Sequence, residues 1–221
     1  MSAVLFGSIS TIADTSELQR QSFNKAFVVH GLDWSWDREV YLTMLDKSGG
    51  SDRIAAYAKG RGEEVDADAV HATKSEIFQQ DLATADIDAR SGVVETIALV
   101  KAQGMGVGLV TTTSRRNISA MLDALNPNLT VDLFDVIVDV TDVDERKPAG
   151  DAYEFALTTL GEKSDHCVAI EDNVDGVRAA QAAGIACVAF PNQNTAGHDF
   201  ASADIRVEQV RFDQLAALIG N

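Results

Sequence analysis

The sequence predicts an α/β fold, a Rossmann-like parallel-sheet core carrying an all-helical insertion after its first strand. Three observations lead there. From Met105 onward, short apolar or β-branched runs alternate with amphipathic stretches, the pattern of a mainly parallel sheet covered by helices on both faces. Far upstream, Ala3-Val4-Leu5-Phe6 is one more run suited to a buried strand. Between the two, residues 16–87 show helical periodicity and no convincing strand.

Taken in order, the first strand spans Ala3 to Phe6 and runs into a polar turn, Gly7-Ser8-Ile9-Ser10-Thr11. Helical stretches follow at about 16–29, 36–46, 51–60 and 67–84, with the turn Lys47 to Arg53 separating two of them around Gly49-Gly50. The chain crosses back near Asp86 to Gly92, so residues 1–15 and 88–221 are expected to form the α/β core and 16–87 a helical cap. A helix at 93–103, stopped by Gly104, leads to strands at Val107–Val110, Val136–Val140, Cys167–Ile170 and Ile185–Phe190. Helices at 116–125, 150–160 and 174–183 join them.

Composition narrows the function classes. A formal net charge of -16 over 221 residues opposes nucleic acid and anionic membranes, because a phosphate backbone requires clustered Lys and Arg. No apolar run approaches the roughly 20 residues that cross a bilayer, and no basic leader precedes the first strand. Cys167 and Cys187 each sit inside an apolar run and are expected to be buried free thiols, which fits a reducing, cytoplasmic setting.

Parallel sheets bind ligands at the carboxyl ends of their strands, where helix N-termini collect unpaired N–H groups. The strand ends here read Gly7-Ser8-Ile9-Ser10-Thr11, Thr111-Thr112-Thr113-Ser114, Lys147-Pro148 and Glu171-Asp172-Asn173. Taken singly, Thr111 is also a plausible helix cap, Lys147 a solvated loop lysine, and Glu171-Asp172 an acidic first turn of a helix. Together, and in this order, hydroxyls, a compact cation and two hard carboxylates make a site for a phosphoryl group and Mg²⁺. His30, His71 and His198 read as surface or capping residues, and His166 precedes its strand at the wrong end.

These segments, with Ala13-Asp14-Thr15, Arg20-Gln21, Phe23-Asn24, Trp34-Ser35-Trp36, Gly49 to Ile54 and Lys147-Pro148-Ala149, resemble the haloacid dehalogenase superfamily over nearly the whole chain. Within it, they look most like the helical-cap branch, the CbbY-like phosphatases near β-phosphoglucomutases. That resemblance implies a sugar-phosphate phosphatase scaffold in which an aspartate attacks phosphorus in line, Mg²⁺ bridges, and the cap closes over the sugar. It assigns Thr111, Thr112 and Lys147 to phosphate, Glu171 and Asp172 to the metal, and Glu17, Gly50 and Arg53 to the cap side of the substrate. Gln19 stands where the family often has histidine.

The family's first motif, Asp-x-Asp-Gly-Thr, corresponds to Gly7, Ser8, Ile9, Ser10 and Thr11, so only the threonine remains. Gly7 cannot attack phosphorus and Ile9 cannot protonate a leaving group. Neither Ser8 nor Ser10 has an adjacent histidine to activate it. The expectation is a scaffold with lost or severely weakened phosphatase chemistry, weak Mg²⁺ binding and retained affinity for phosphorylated sugars. Lys147, with Arg146 or Arg115, is expected to pair with the carboxylates once the ion is gone. The competing readings are an active phosphatase using another route and a non-catalytic regulatory or interaction protein.

Overall fold

The computed structural model describes residues 2–45 and 49–220, so Lys47 and Ser48 of the expected turn lie outside the described residues. Six parallel strands form the sheet: β1 (Ala3–Phe6), β2 (Gly106–Val110), β3 (Val136–Val138), β4 (Cys167–Glu171), β5 (Ala186–Ala189) and β6 (Ile205–Arg206). Their order is β3-β2-β1-β4-β5-β6. The first strand is thus central, with Phe6 opposite Leu109 on one side and Ile170 on the other.

Ten helices accompany the strands among the described residues: α1 (Ile9–Ile12), α2 (Ser16–Val29), α3 (Arg38–Leu42), α4 (Gly50–Arg61), α5 (Ala67–Leu82), α6 (Val93–Ala102), α7 (Arg115–Leu125), α8 (Asp151–Leu160), α9 (Val174–Ala182) and α10 (Phe212–Ala216). Strand alternation divides the core into two layers. Val4, Phe6, Val168 and Ile170 pack with Ile97 of α6 and Met121 of α7. Ala3, Leu5, Cys167 and Ala169 pack with Tyr153 of α8 and Val177 of α9. Cys167 and Cys187 are buried free thiols.

Helices α2 to α5 carry an apolar cluster of their own, built on Phe23, Phe27, Trp34, Trp36, Tyr41, Ile54 and Val70. The helix expected over 36–46 is only Arg38–Leu42, because Asn24 holds the Trp36 backbone extended. The Asn24 amide donates to the Trp36 carbonyl at 2.9 Å and its carbonyl accepts from the Trp36 N–H at 2.8 Å. Asp37 then caps α3 by accepting from the Val40 N–H at 2.8 Å.

Four further differences bear on the site. The polar turn expected after β1 is a single helical turn, α1. β3 stops at Val138 because the Asp139 carboxylate bends the chain by accepting from the Thr141 N–H at 2.8 Å. β4 runs one residue further than expected, so Glu171 pairs with Ala189 as part of the sheet. β6 and α10 were not foreseen; both are short, and β6 is a sheet edge.

Phe27 is fully buried, with its ring edge-on to Trp36 at 4.6 Å between centroids. Phe27→Ala is expected to cost ~3–5 kcal/mol through lost burial and the void it leaves, read as a lower urea midpoint with an unchanged slope.

Candidate functional site

The chain reverses its direction of travel across the sheet at β1, since β2 lies to one side and β4 to the other, and ligand crevices of parallel sheets open at such points. A cavity of about 610 Å³ lies there. Strand-end residues Ser8, Ile9, Thr111, Thr112, Thr113, Lys147 and Asp172 line it, and Gln19, Tyr41, Gly50, Arg53, His71 and Lys74 line it from the helical insertion. Of the residues picked out from sequence, Gly7, Glu17 and Glu171 are absent from the lining.

Glu17 is engaged elsewhere, in an ion pair with Arg20 one helical turn away. Hydrogen bonding from Arg20 accordingly lowers its pKa. Gly7 prolongs the sheet by donating its N–H to the Ile170 carbonyl at 2.8 Å. Beyond it, Ser8 caps α1 by accepting from the Thr11 N–H at 3.1 Å. Ile9 turns into the apolar layer beside Phe6 and is 5% exposed.

The register of β4 decides the fate of Glu171. Two residues beyond Ala169, its side chain leaves the sheet on the face of Cys167 and Ala169, toward α8 and α9, and is wholly buried there. Lys147 meets it. The Lys147 ammonium donates to the Glu171 carboxylate at 2.5 Å, to the Gly7 carbonyl at 2.5 Å and to the Val110 carbonyl at 2.7 Å. All three of its protons are thereby used. The Tyr153 hydroxyl donates to the same carboxylate oxygen at 2.7 Å. Burial raises the Glu171 pKa, and the neighbouring Lys147 opposes that rise.

Asp172, by contrast, faces the cavity and is held by neutral donors. Its Oδ1 accepts from the Ser8 hydroxyl at 2.7 Å and from the Asn173 amide at 3.1 Å, and its Oδ2 accepts from the Asn192 amide at 2.6 Å. The pairing expected for Lys147 is present. Arg115 instead pairs with Asp139 at 2.6 Å, because it opens α7 on the side of β3. Thr111 does not cap α7: Ser114 does, while the Thr111 hydroxyl accepts from the Thr113 N–H at 3.2 Å.

The opposite wall holds what the sequence reading missed. Val70, Lys74, Phe78 and Leu82 are the buried residues of α5, so Lys74 occupies one place in an apolar stripe repeating every four residues. A lysine at such a place was the available signal. Its ammonium lies 4.9 Å from the Phe23 and Phe78 ring centroids and donates to Gln19 at 2.8 Å. Burial, then repulsion from Arg53, brings its pKa down to about 7. His71, expected at the surface or at a cap, lies one turn earlier on the same wall. Burial first, then Lys74, Arg146 and Arg53, depress its pKa to about 4. Arg53 lies over the Tyr41 ring at 5.5 Å and donates to the Met44 carbonyl at 2.9 Å.

Residues 10–190 match the sequence profile of the family Haloacid dehalogenase-like hydrolase. The chain belongs to that family. This haloacid dehalogenase-like chain is 37% identical to Protein CbbY of Cereibacter sphaeroides over 221 residues, covering 99% of this chain and 95% of the relative. It is 35% identical to Protein CbbY of Rhodobacter capsulatus over 210 residues, covering 94% and 92%. Its structure is similar to that of CbbY from Rhodobacter sphaeroides in complex with phosphate, with a TM-score of 0.87 at 36% identity, covering 95% and 94% of the two chains. A mutant of that protein, in complex with Xylulose-(1,5)bisphosphate, is equally similar, with a TM-score of 0.87 at 36% identity over 95% and 94%. Haloacid dehalogenase-like phosphatases generally use Mg²⁺. Among the described residues no helix is long and apolar enough to cross a membrane.

The half-buried His71 imidazole gives this haloacid dehalogenase-like chain a pH signature. With a folded pKa of about 4 against 6.5, His71 leaves stability intact above 6.5 and takes it away as pH falls toward 4, because only the unfolded chain binds the proton. The loss reaches up to about 3 kcal/mol. Unfolding midpoints of the parent and of His71→Gln should therefore diverge across this interval, the parent falling more steeply.

Proposed function

We propose that this chain is a CbbY-like phosphatase scaffold that binds a phosphorylated sugar and has lost, or nearly lost, phosphoryl transfer. The observation that carries the reading is the tip of β1. Gly7 and Ile9 stand there in place of the nucleophile and general acid implied by the resemblance, so no carboxylate projects from this strand end. Ser8 is a poor substitute, since no histidine is bonded to it and the Asp172 carboxylate that accepts its proton also accepts from the Asn173 and Asn192 amides.

In this reading residues 16–87 act as a cap on a core of residues 1–15 and 88–221. The two unpaired thiols suit a cytoplasmic setting. Thr111 and Thr112 face the phosphoryl group nearer the sheet, and Lys147 contributes its charge from beneath. Gly50, Arg53 and Lys74 serve the far end, with Glu17 acting through Arg20. Charge supports an anionic ligand: the chain is at -16, yet at this cavity Arg53, Lys74, Arg116 and Arg146 balance Asp52, Asp68, Glu76 and Asp172, while Lys147 is paired with Glu171. The bisphosphate complex of the Rhodobacter sphaeroides relative makes a sugar bisphosphate the first ligand to try.

Two measurements test the reading. Wild-type protein incubated with sugar bisphosphates should release phosphate on the order of 10⁶-fold more slowly than a working relative, and Gly7→Asp, Ile9→Asp, in which the new side chain at residue 7 must displace Glu171, should recover part of that activity. Turnover by the unaltered chain at roughly 1 to 10³ per second would end it. Separately, a bound bisphosphate at about 100 times its dissociation constant should stabilise the wild type by about 2.7 kcal/mol. That gain should be largely lost in Lys74→Met. Affinity should fall as pH rises through about 7, where Lys74 surrenders its proton.

A further inference from the structure

We infer that the strand-end site of this chain is closed to a divalent cation by its own side chains, with Glu171 filling the space of the absent residue-7 side chain and Ser8 taking up Asp172. The inference concerns the same site as the proposed function and deepens it, by stating that any phosphate ester is held there without a bridging metal.

Three features of the site fail the fit to Mg²⁺, which requires an octahedral shell of oxygens, usually one or two carboxylates plus waters. The first is the space at residue 7. A Cβ built on Gly7 would lie 2.1 Å from Glu171 Cδ and 2.1 Å from its Oε1, so the carboxyl group occupies the volume into which any side chain at that position would grow. A Cβ on Gly176, across from it, would meet Glu171 Cδ at 2.1 Å as well. The carboxylate is wedged between two glycines and closed off from the cavity.

The second feature is the carboxylate itself. One oxygen of Glu171 is bonded by both Lys147 and Tyr153, and the other is buried without a hydrogen-bond partner. Neither oxygen is offered to the cavity. The third is Asp172, whose two oxygens accept from Ser8, Asn173 and Asn192. A cation there would have to displace these donors with Asp172, itself only 4% exposed, as the one strand-end carboxylate facing the cavity. Among the described residues no group of three or more His, Cys, Asp or Glu is placed to share an ion.

The test is Mg²⁺ titration of the whole chain by calorimetry and by thermal unfolding, with EDTA as the reference. Up to about 10 mM Mg²⁺ the wild type should show no saturable heat and a midpoint shift under about 1 °C. Saturable binding in that range overturns the inference. The steric half is tested by Gly7→Ala in two backgrounds, since one methyl group must push Glu171 aside. The drop in midpoint should be several degrees in the wild type and less than half as large in Glu171→Asp, whose shorter side chain keeps the charge that Lys147 needs. Equal drops overturn the inference. Sugar bisphosphate added in EDTA separates the two readings: stabilisation there supports both, whereas a flat Mg²⁺ titration with no ester binding removes the proposed function alone.

Discussion

A buried carboxylate tolerates its position only if something compensates it, and in this fold the compensation fixes the geometry of three strand ends at once. Glu171 lies on the inward face of β4 because strand alternation leaves no other choice. Desolvating it is costly, and Lys147 answers with one ammonium that also bonds the carbonyls of Gly7, just past β1, and of Val110, the last residue of β2. A single side chain thus ties β1, β2 and β4 together beneath the cavity. Loss of either partner would leave an unpaired buried charge, a fault that typically costs about 3–5 kcal/mol.

Much of the fold was legible because periodicity is a long-range signal. β1, β2 and the helices α2, α6, α7, α8 and α9 lie within a residue or two of where apolar spacing put them. What failed was local. Trp36 reads as part of a helix until Asn24 is seen to hold its backbone, and that contact crosses twelve residues. The turn after β1 became helical because Ser8 caps it, a choice that depends on one hydroxyl rather than on a pattern. A one-residue shift in the end of β4 had the largest consequence, since in a strand each residue changes face. It moved Glu171 from the rim of the cavity into the core, while Asp172 stayed at the rim.

The candidate site was legible in its strand-end half and hidden in the other. Thr111, Lys147 and Asp172 stand out in the sequence because they follow strands, where parallel sheets put ligands, and all three line the cavity. Lys74 and His71 were not, because a helix offers no comparable rule and a charged residue in an apolar stripe looks like an interruption. Physically it is the reverse: Phe23, Phe78 and Gln19 surround the Lys74 ammonium with two ring faces and an acceptor, so the stripe is built around the charge.

The two walls of the cavity therefore do different work. At the sheet, Lys147 and Glu171 cancel, leaving Asp172 as the net charge and Thr111 and Thr112 as neutral partners. At the helical wall, Arg53 adds positive charge, and Lys74 adds more below pH about 7, in a place where burial strengthens the interactions of whatever charge remains. Rate acceleration needs contacts that tighten in the transition state, and the proposed reading assigns those to the strand tip, where Gly7 and Ile9 stand. Affinity for the ground state has no such requirement. Under the proposed reading it draws on groups remote from the reacting bond, those of the helical wall, so binding and turnover would part company without any change in the fold.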